Sequence, residues 1–307
     1  MEHRPLGTSG IEVSALSVGS WRTFERIPRE AGVAVMAAAR EHGIDFLDDA
    51  RYDDETGTAP LPTGYSEVVF GELFRSSGWK RDDVRVANKL WWEFWPQQTS
   101  AQELDGSLTR MKLDYLDLVY SERPPESVPV PEVVGAMGEL IASGKVRAWG
   151  VLNWPAELIR EAAELSPRPC AAQLAYSLSY PQVVEDEATI EALEATGASI
   201  VASAVLANGA LTGKYAREET GRLAGSREDP RRQEVFRIGE RLQLLADQLD
   251  TTPARLAIAF ALSNPRVASV LFGATSPEQV EDDVRALETL ANMSEPDLTA
   301  LRDLALG

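Results

Sequence analysis

Short apolar runs alternate with longer amphipathic stretches from one end of the chain to the other, and this alternation constrains the fold more than any other feature. The apolar runs are rich in Val, Ile and Leu, as are parallel strands that are buried on both faces. They predict strands at residues 15–19, 44–48, 84–89, 116–121, 146–152, 171–174, 199–204 and 269–272. The stretches between them predict helices at residues 31–41, 100–111, 130–143, 155–165, 186–196 and 276–287. The order of elements is that of an α/β protein.

The number of predicted strands distinguishes two α/β architectures. Eight strands that alternate with helices over residues 1–307 favour a closed (β/α)8 TIM barrel. An open doubly wound sheet is the alternative, but that fold usually carries a glycine-rich phosphate loop after its first strand. Here the first strand ends in Gly19-Ser20-Trp21, without a GxGxxG pattern. We therefore predict a barrel that forms a single domain.

Two long polar loops interrupt the regular pattern, at residues 52–65 and 213–230. Both follow the carboxyl ends of predicted strands, the face on which barrel enzymes place their active sites. Long loops in a compact domain are often lids or binding loops, although a tolerated surface insertion looks the same in a sequence. We expect both loops at the C-terminal face of the barrel, with either role open.

The balance of charge and the apolar content exclude several classes of function. The formal net charge is −18, so a nucleic acid would be repelled, and an anionic ligand would need a local positive site. No apolar stretch of about 18 residues is present to span a membrane, and the polar residues 1–10 lack an apolar signal core. Cys170 is the single cysteine, which excludes an internal disulfide and is typical of the reducing cytoplasm.

Three charged residues end predicted strands: Asp48 the second, Lys89 the third and Glu122 the fourth. Charges at these ends point into the mouth of a barrel, where burial is unfavourable unless they are paired or used. A structural ion-pair network and an active site are both consistent with this placement. A Lys–Asp pair beside a tyrosine has a specific use, because the ammonium favours the phenolate, lowers the tyrosine pKa and makes the phenol a proton donor near neutral pH. Tyr52, four residues after Asp48, is placed to supply that phenol.

Seven segments, in sequence order, resemble motifs of the aldo-keto reductases. The opening β-hairpin and first strand of that family are similar to RPLGTSGIEVSALSVGSW, and its G-x-N-F-x-D-T-A-x-x-Y motif is similar to GIDFLDDARY. Its lysine strand is matched by VANKL, its L-D-Y-x-D-L-x-x-x-H-R-P motif by LDYLDLVYSERPP, and its G-K-x-R-x-x-G-x-S-N-[FW] motif by GKVRAWGVLNW. Its G-x-L-T-G-K-Y motif is matched by GALTGKY, and its C-terminal glutamine motif resembles SVLFGATSPEQVEDDV. The chain most resembles the branch of bacterial reductases and voltage-gated potassium channel β subunits.

The resemblance implies a barrel with an N-terminal β-hairpin, and an NAD(P)H-dependent oxidoreductase in which Asp48 and Lys89 polarise the catalytic Tyr52. The residues implied to hold the nicotinamide end are Asn153 and Gln173, at the carboxamide, and Ser20 and Trp21, at the ribose and the substrate mouth. Those implied to wrap the pyrophosphate are Leu206, Gly209, Leu211 and Lys214, of which Lys214 is the local positive charge. Those implied to contact the adenosine end are Gly273, Thr275, Gln279 and Asp283.

One departure from the family pattern alters the expected chemistry, because Glu122 stands where the resemblance places a catalytic histidine. An ionised glutamate would repel the developing oxyanion, whereas a protonated one is a strong hydrogen-bond donor. The resemblance implies that a protonated Glu122 favours reduction of a C=C bond conjugated to a ketone, since the steroid 5β-reductases of the family carry glutamate here. The alternative is an ionised Glu122 that pairs with Arg123 or Arg51, with altered or lost carbonyl chemistry.

The tyrosine spacing and two neighbouring positions also differ from the family pattern. The family tyrosine stands five residues after the aspartate, a position that Asp53 occupies here. We expect Tyr52 to reach the site if the loop has lost one residue, with Tyr65 as the alternative proton donor. Leu152 replaces a serine that bonds the carboxamide, and Ser203 stands near the position of an aromatic residue that stacks on the nicotinamide.

The adenosine end bears on the choice of cofactor. No Lys or Arg lies between Gly273 and Asp283, so a 2′-phosphate would meet Asp282 and Asp283. Neutral donors and the N-terminus of a helix can still bind a phosphate. These donors are Thr275, Ser276 and Gln279. We expect NADPH from the resemblance, with NADH a stronger alternative than in most of the family.

A run of aromatic residues, Trp91-Trp92-Glu93-Phe94-Trp95, directly follows the lysine strand. Large aromatic side chains on a loop at the barrel mouth suit a flat, apolar substrate. Local packing of the loop is the alternative. We expect Trp91 and Trp92, together with Trp21, to line the substrate pocket.

Three functions are consistent with these features. The leading hypothesis is an NAD(P)H-dependent reductase of a conjugated or aromatic carbonyl compound, acting as an ene-reductase in secondary metabolism. Ordinary aldehyde or ketone reduction is the second hypothesis. The third is a cofactor-binding regulatory subunit with little turnover, which the irregular tyrosine spacing favours. We expect no metal site, and the sequence leaves the substrate and the oligomeric state open.

Overall fold

A closed barrel of eight parallel strands forms the centre of the computed structural model, which describes residues 1–217, 223, 229–230 and 232–306. Two short antiparallel strands, β1 (His3–Pro5) and β2 (Glu12–Ser14), precede it as a hairpin. The barrel strands are β3 (Leu16–Gly19), β4 (Phe46–Asp48), β5 (Arg85–Leu90), β6 (Leu116–Glu122), β7 (Val146–Leu152), β8 (Ala171–Ala175), β9 (Ser199–Ser203) and β10 (Val267–Phe272). Each pairs with the next, and β10 closes the barrel on β3. The predicted (β/α)8 barrel is confirmed.

Helices surround the barrel and connect its strands. They are α1 (Arg29–Glu41), α2 (Tyr65–Ser76), α3 (Ser100–Met111), α4 (Val130–Ala142), α5 (Ala156–Ala163), α6 (Gln182–Glu185), α7 (Glu187–Thr196), α8 (Lys214–Arg217), α9 (Gln233–Gln248), α10 (Pro253–Leu262), α11 (Pro277–Val284), α12 (Ala286–Asn292) and α13 (Glu295–Leu306). Short 3-10 helices lie at Phe24–Arg26, Arg81–Asp83 and Ala207–Thr212. Within the described part of the chain, none of the helices combines the length and apolar character that crossing a membrane requires.

The helices differ from the sequence prediction in two respects. The helix predicted at residues 276–287 is two helices, because the N–H of Arg285 bonds the carbonyl of Asp282 at 3.1 Å in a tight turn that ends α11. Helices α2, α6, α8, α9, α10 and α13 are missing from the prediction. Every residue of α10 except Arg255 is buried, so α10 lacks the polar face that marks an amphipathic helix. The loop predicted at residues 213–230 lies largely outside the described residues.

The hairpin β1–β2 fills the end of the barrel at which the strands begin. Leu6 and Val13 are buried with inward-facing strand residues such as Leu118. Nη1 of Arg4 donates to the carbonyl of Val267, the first residue of β10, at 2.7 Å. Since the hairpin occupies this end, the carboxyl ends of the strands form the mouth that is open to a ligand.

Substitution of Gly71 tests the packing of α2 against the end of α3. A Cβ at Gly71 would lie 2.2 Å from the carbonyl oxygen of Met111, which is backbone and cannot rotate aside. We expect Gly71→Ala to lower the free energy of unfolding by about 2–3 kcal/mol in urea denaturation. Gly135→Ala is the matched control, because Gly135 lies in α4 with no atom within 4 Å of an added Cβ. The control should be as stable as the wild type or up to about 1 kcal/mol more stable, through helix propensity. Equal effects of the two substitutions would contradict this packing.

Candidate active site

The carboxyl ends of β4 and β5 bring together Asp48, Lys89 and Tyr52. Nζ of Lys89 donates to Oδ1 of Asp48, to the backbone carbonyl of Asp49 at 3.2 Å and to Oη of Tyr52 at 3.1 Å. Oδ2 of Asp48 accepts from Nε2 of Gln173, in β8, at 3.0 Å. The side chains of Asp48 and Lys89 are only 2% and 3% exposed. All three hydrogens of the buried ammonium are therefore engaged.

A tight turn carries Tyr52 to Lys89, although Tyr52 stands one residue closer to Asp48 than the family pattern requires. The N–H of Tyr52 donates to the carbonyl of Ala50, two residues earlier, at 2.9 Å. A three-residue turn of this kind redirects the chain over a very short distance. Tyr65 begins α2, and its hydroxyl accepts from Arg29 at 2.9 Å. The structure thus brings Tyr52, and not Tyr65, to the ammonium.

Burial and charge act in opposite directions on these groups. Desolvation raises the pKa of Tyr52 above its ordinary value and outweighs the lowering effect of Lys89. Lys89 thus lowers the tyrosine pKa as expected, but burial outweighs this effect and the net pKa of Tyr52 is raised. Burial alone would lower the pKa of Lys89, but the carboxylate of Asp48 raises it above the ordinary value. At neutral pH the site holds a neutral phenol that accepts a hydrogen bond from an ammonium.

Glu122 is the last residue of β6, and its side chain is partly buried. Desolvation raises the pKa of Glu122, against smaller lowering effects of the Arg123 backbone N–H and of Lys89. Nη2 of Arg51 pairs with Glu93 at 2.7 Å, and no cation of the described residues lies within ion-pair distance of Glu122. The alternative in which Arg51 or Arg123 pairs with Glu122 is therefore absent from this part of the chain.

Behind the mouth, Ser20 and Asp49 form a buried hydrogen bond. Oγ of Ser20 donates to Oδ1 of Asp49, while the buried Oδ2 of Asp49 has no partner among the described residues. Desolvation, assisted by the charge of Glu67, raises the pKa of Asp49 well above its ordinary value. The sequence carries one signal for this residue, because Asp49 replaces the threonine of the family's D-T-A motif. Oδ2 of Asp49 is therefore a buried polar atom that no described residue satisfies.

The residues predicted at the nicotinamide differ in accessibility. Asn153 follows β7 with an exposed side chain and a backbone φ of 53°. Trp21 follows β3 and is 42% exposed. Gln173 and Ser20 are buried, and each donates to an aspartate. Asn153 and Trp21 are thus open to a ligand at the mouth, whereas Gln173 and Ser20 also support the buried acids.

The segment that follows β9, from Leu206 to Lys214, forms a cradle of backbone with the positively charged side chain of Lys214 above it. Gly209 has a φ of +88°, and a Cβ there would lie 2.9 Å from Cε of Lys214, so glycine fits beneath the lysine and a larger residue does not. The Lys214 ammonium lies 5.0 Å from the ring centre of Tyr215, without a carboxylate partner among the described residues. Leu206 is partly buried, but Leu211 is fully buried in the core, so only the backbone of Leu211 can face a ligand. An ammonium that pairs with none of the described carboxylates, over a glycine backbone, suits a pyrophosphate.

The segment after β10 is less negative than its sequence indicates. Its exposed residues are Gly273, Thr275, Glu278 and Gln279. Asp283 is 4% exposed, and Asp282 pairs with Arg255 of α10. The prediction that a phosphate here would meet two free carboxylates is therefore wrong, since an arginine distant in sequence pairs with one and burial covers the other.

The aromatic run after β5 is divided between the core and the mouth. Trp92 is 2% exposed, and its Nε1 donates to Oγ of Ser121 at 2.8 Å, so the prediction that Trp92 lines the substrate pocket is wrong. Trp91 is partly buried and meets the ring of Tyr52 edge-on, with 6.1 Å between the ring centres. Phe94 is 50% exposed. Trp91 and Phe94 therefore border the mouth.

Comparison with known proteins agrees with this geometry. A model of the aldo/keto reductase family matches residues 15–305. The chain belongs to this family. One similar protein is a probable voltage-gated potassium channel subunit beta of Oryza sativa subsp. japonica, 32% identical over 94% of this chain and 92% of its own. Another protein of that description, from Arabidopsis thaliana, is 31% identical over the same shares of the two chains.

Membership of the aldo/keto reductase family makes the protein an NAD(P)H-dependent oxidoreductase. The cradle of Gly209 and Lys214 and Oδ2 of Asp49 fit such a cofactor, because both offer polar groups that the described residues do not satisfy. Among the residues that the structure describes, no cluster of three or more His, Cys, Asp or Glu is placed to hold a metal ion.

In this aldo/keto reductase, Arg51 joins the two loops that border the mouth. Its Nη1 donates to Oγ1 of Thr63 at 2.8 Å, in the loop before α2, and its Nη2 pairs with Glu93 of the aromatic run. The side chain is 9% exposed. The planar fork of a guanidinium suits two partners at once. The sequence offered only one signal for this role, the position of Arg51 directly before Tyr52.

The buried pair of Asp48 and Lys89 should show strong energetic coupling. Asp48→Asn leaves an ammonium without its carboxylate, and Lys89→Met leaves a carboxylate that only Gln173 still bonds. Each single variant should lower the free energy of unfolding by about 3–5 kcal/mol in urea denaturation. The double variant removes both charges and should lose clearly less than the sum of the single losses. Additive losses would show that the two charges are not coupled.

Proposed function

We propose that the protein reduces a carbonyl-containing substrate with NADPH, and that Tyr52 donates the proton. The observation that carries this proposal is the convergence of Tyr52, Lys89 and Asp48 at the open end of the barrel. Bound NADPH would supply a hydride from C4 of its nicotinamide. Because Oη of Tyr52 accepts from Lys89, the phenol hydrogen is left to donate to the substrate oxygen. The substrate thus gains a hydride at carbon and a proton at oxygen.

Lys89 matters most when Tyr52 loses its proton. The phenolate that develops at Tyr52 faces an ammonium 3.1 Å away, which already donates to its oxygen. The positive charge therefore stands where negative charge forms, and no group has to reorganise. The raised pKa of Tyr52 keeps the donor protonated at neutral pH before this step.

The finer proposal is that Glu122 directs the reaction to a C=C bond conjugated to a ketone. The raised pKa of Glu122 and its lack of an ion-pair partner in the described residues support a protonated acid that donates to the substrate carbonyl. Charge that builds on that oxygen is then stabilised by Glu122 and Tyr52 together. Hydride addition at the β-carbon would give an enol at that oxygen. Proton uptake from water at the α-carbon and return of the hydroxyl proton to the acid would then leave the ketone intact.

The walls of the mouth support an apolar or aromatic substrate. Trp21, Leu61 and Phe94 are 42%, 40% and 50% exposed, and they lie in the loops that follow β3, β4 and β5. Exposed large apolar side chains gathered around an opening are typical of a binding site for apolar ligands. We propose that these side chains contact the substrate while its carbonyl reaches Tyr52.

The residues proposed to hold NADPH follow β3, β7, β9 and β10, except Gln173, which lies within β8. Asn153 and Gln173 would bind the carboxamide, and Ser20 and Trp21 would line the ribose. The residues proposed for the pyrophosphate are Leu206, Gly209, Lys214 and the backbone of Leu211. Those proposed for the adenosine end are Gly273, Thr275, Gln279 and Asp283. The pairing of Asp282 with Arg255 supports NADPH over NADH, because it removes a charge that would repel a 2′-phosphate.

The similar plant proteins favour a second candidate, a cofactor-binding regulatory subunit with little turnover. Both are described as probable potassium channel β subunits. The irregular tyrosine spacing also favours it in the sequence, but the turn that brings Tyr52 to Lys89 removes that argument. Tight NADPH binding without turnover on a panel of enones, ketones and aldehydes would select this candidate.

Substitution of Tyr52 tests the proposed proton donor. Tyr52→Phe keeps the ring but removes the hydroxyl, so we expect kcat for carbonyl or enone reduction to fall by about 10²–10⁴-fold. The dissociation constant of NADPH, measured by fluorescence, should change little. Tyr65→Phe is the matched control, because the Tyr65 hydroxyl bonds Arg29 outside the mouth, and it should retain the wild-type kcat. A similar loss of kcat in both variants would exclude Tyr52 as the donor.

The pH profile of enone reduction tests Glu122. Since burial raises the pKa of Glu122, its protonated form prevails at low pH and is lost as the pH rises through that raised value. We expect kcat to fall over that range, well below the still higher pH at which Tyr52 titrates. Glu122→Gln keeps a neutral donor at every pH, so the fall should disappear. Persistence of the fall in Glu122→Gln would assign it to another group.

Glu122→His tests the choice between C=C and C=O reduction. The imidazole restores the residue of the common family pattern, so we expect a loss of enone reduction and a gain of aldehyde reduction. The ratio of kcat/KM for an enone and for an aromatic aldehyde measures this preference. An unchanged ratio would count against a role of Glu122 in that choice.

A further inference from the structure

Arg255 and Asp282 form an ion pair beside the segment proposed to hold the adenosine end of the cofactor. Nε and Nη2 of Arg255, in α10, donate to Oδ1 of Asp282, in α11, at 2.9 and 2.6 Å. The hydroxyl of Thr252, which caps α10, donates to Oδ2 of Asp282 at 2.9 Å. The side chains of Arg255 and Asp282 are 19% and 32% exposed, so water screens the pair only in part. Both oxygens of Asp282 are engaged by the start of α10.

The carboxyl group of Asp283, next to Asp282, is buried. Its side chain is 4% exposed and makes no hydrogen bond with the described residues. Desolvation raises the pKa of Asp283 well above its ordinary value, the charge of Asp282 acts in the same direction, and Arg255 opposes them. Asp283 is buried and Asp282 is paired, so neither carboxylate is presented as a free charge, and Glu278 is the exposed acid in the first turn of α11.

These groups lie close to the neutral donors at the start of α11. Gln279 precedes Asp282 by three residues and Asp283 by four, a spacing that places all three on one side of a helix. Oε1 of Gln279 accepts from the N–H of Thr275 at 2.8 Å, so its side chain reaches back to the N-terminus of α11. A phosphate bound at Thr275 would lie about two helical turns or less, roughly 6–10 Å, from Asp282.

We propose that Arg255 determines the preference for a cofactor with a 2′-phosphate, because it neutralises Asp282. The inference rests on the proposed function, which supplies the nucleotide. NADPH and NADH share every group except this phosphate, which carries close to two negative charges at neutral pH. A free carboxylate at Asp282 would repel the phosphate and leave the 2′-hydroxyl of NADH nearly unaffected. Arg255 thus acts through Asp282 and need not touch the cofactor.

The ratio of the two dissociation constants, for NADH and for NADPH, isolates this effect from all shared contacts. Isothermal titration calorimetry on the intact protein would measure both. Arg255→Gln leaves Asp282 unpaired, so NADPH affinity should fall about tenfold while NADH affinity stays within about twofold. Asp282→Asn leaves Arg255 unpaired and should shift the ratio in the opposite direction. The variant with both substitutions should return close to the wild-type ratio.

Two controls separate a local charge effect from other causes. Arg266→Gln changes the net charge by the same amount, but Arg266 pairs with Glu194 at the opposite end of the barrel, so the ratio should not change. Raising the salt concentration from about 20 mM to about 0.5 M should reduce the effect of Arg255→Gln, because salt screens exposed charges. Thermal unfolding of each variant shows whether the fold is retained.

The outcomes distinguish this inference from the proposed function. If Arg255→Gln weakens NADH and NADPH by the same factor, Arg255 has only a structural role and the inference is overturned. An unchanged ratio in Asp282→Asn overturns it as well. If the ratio shifts as expected but no substrate is reduced, the inference stands and the proposed reductase does not. A wild-type protein that binds neither nucleotide would overturn both.

Discussion

The buried ion pair of Asp48 and Lys89 is the interaction on which the rest of the site depends. Opposite charges this far from water are tolerated only when they pair and when their remaining polar atoms find partners. Gln173 bonds the second oxygen of Asp48, and Lys89 also bonds the carbonyl of Asp49 and the phenol of Tyr52. Three barrel strands and the turn after β4 therefore meet at one ammonium. The placement of the phenol follows from the need to satisfy that charge.

Local ion pairs between side chains also determine where this acidic protein can bind an anion. With a net charge of −18, the protein as a whole repels phosphate. Lys214 nevertheless lies over the open backbone of Gly209 without a carboxylate partner in the described chain, and Arg255 cancels the charge of Asp282. Lys214 and the Arg255–Asp282 pair thus reduce the repulsion at two points along the expected length of a dinucleotide. The net charge determines the long-range electrostatic field of the protein, whereas local ion pairs determine the charge at the proposed cofactor site.

The sequence predicts the barrel and the acid–lysine pair because both depend on local pattern. Apolar runs mark strands that are buried on both faces, and Asp48 and Lys89 end adjacent strands whose carboxyl ends must share one face. Contacts between distant segments leave no such pattern. The pairing of Arg255 with Asp282 depends on how α10 packs against α11, and the burial of Trp92 depends on its bond to Ser121. The reach of Tyr52 depends on a backbone turn that residue spacing does not reveal.

Arg51 links reactivity to the shape of the mouth. It stands in the chain directly before Tyr52, and its guanidinium holds Thr63 on one wall and Glu93 on the other. The turn that carries the proposed proton donor and the two loops at the mouth are therefore joined through Arg51. A molecule that displaced either loop would act directly on the residue next to Tyr52. Discrimination between substrates is then expressed in turnover as well as in affinity.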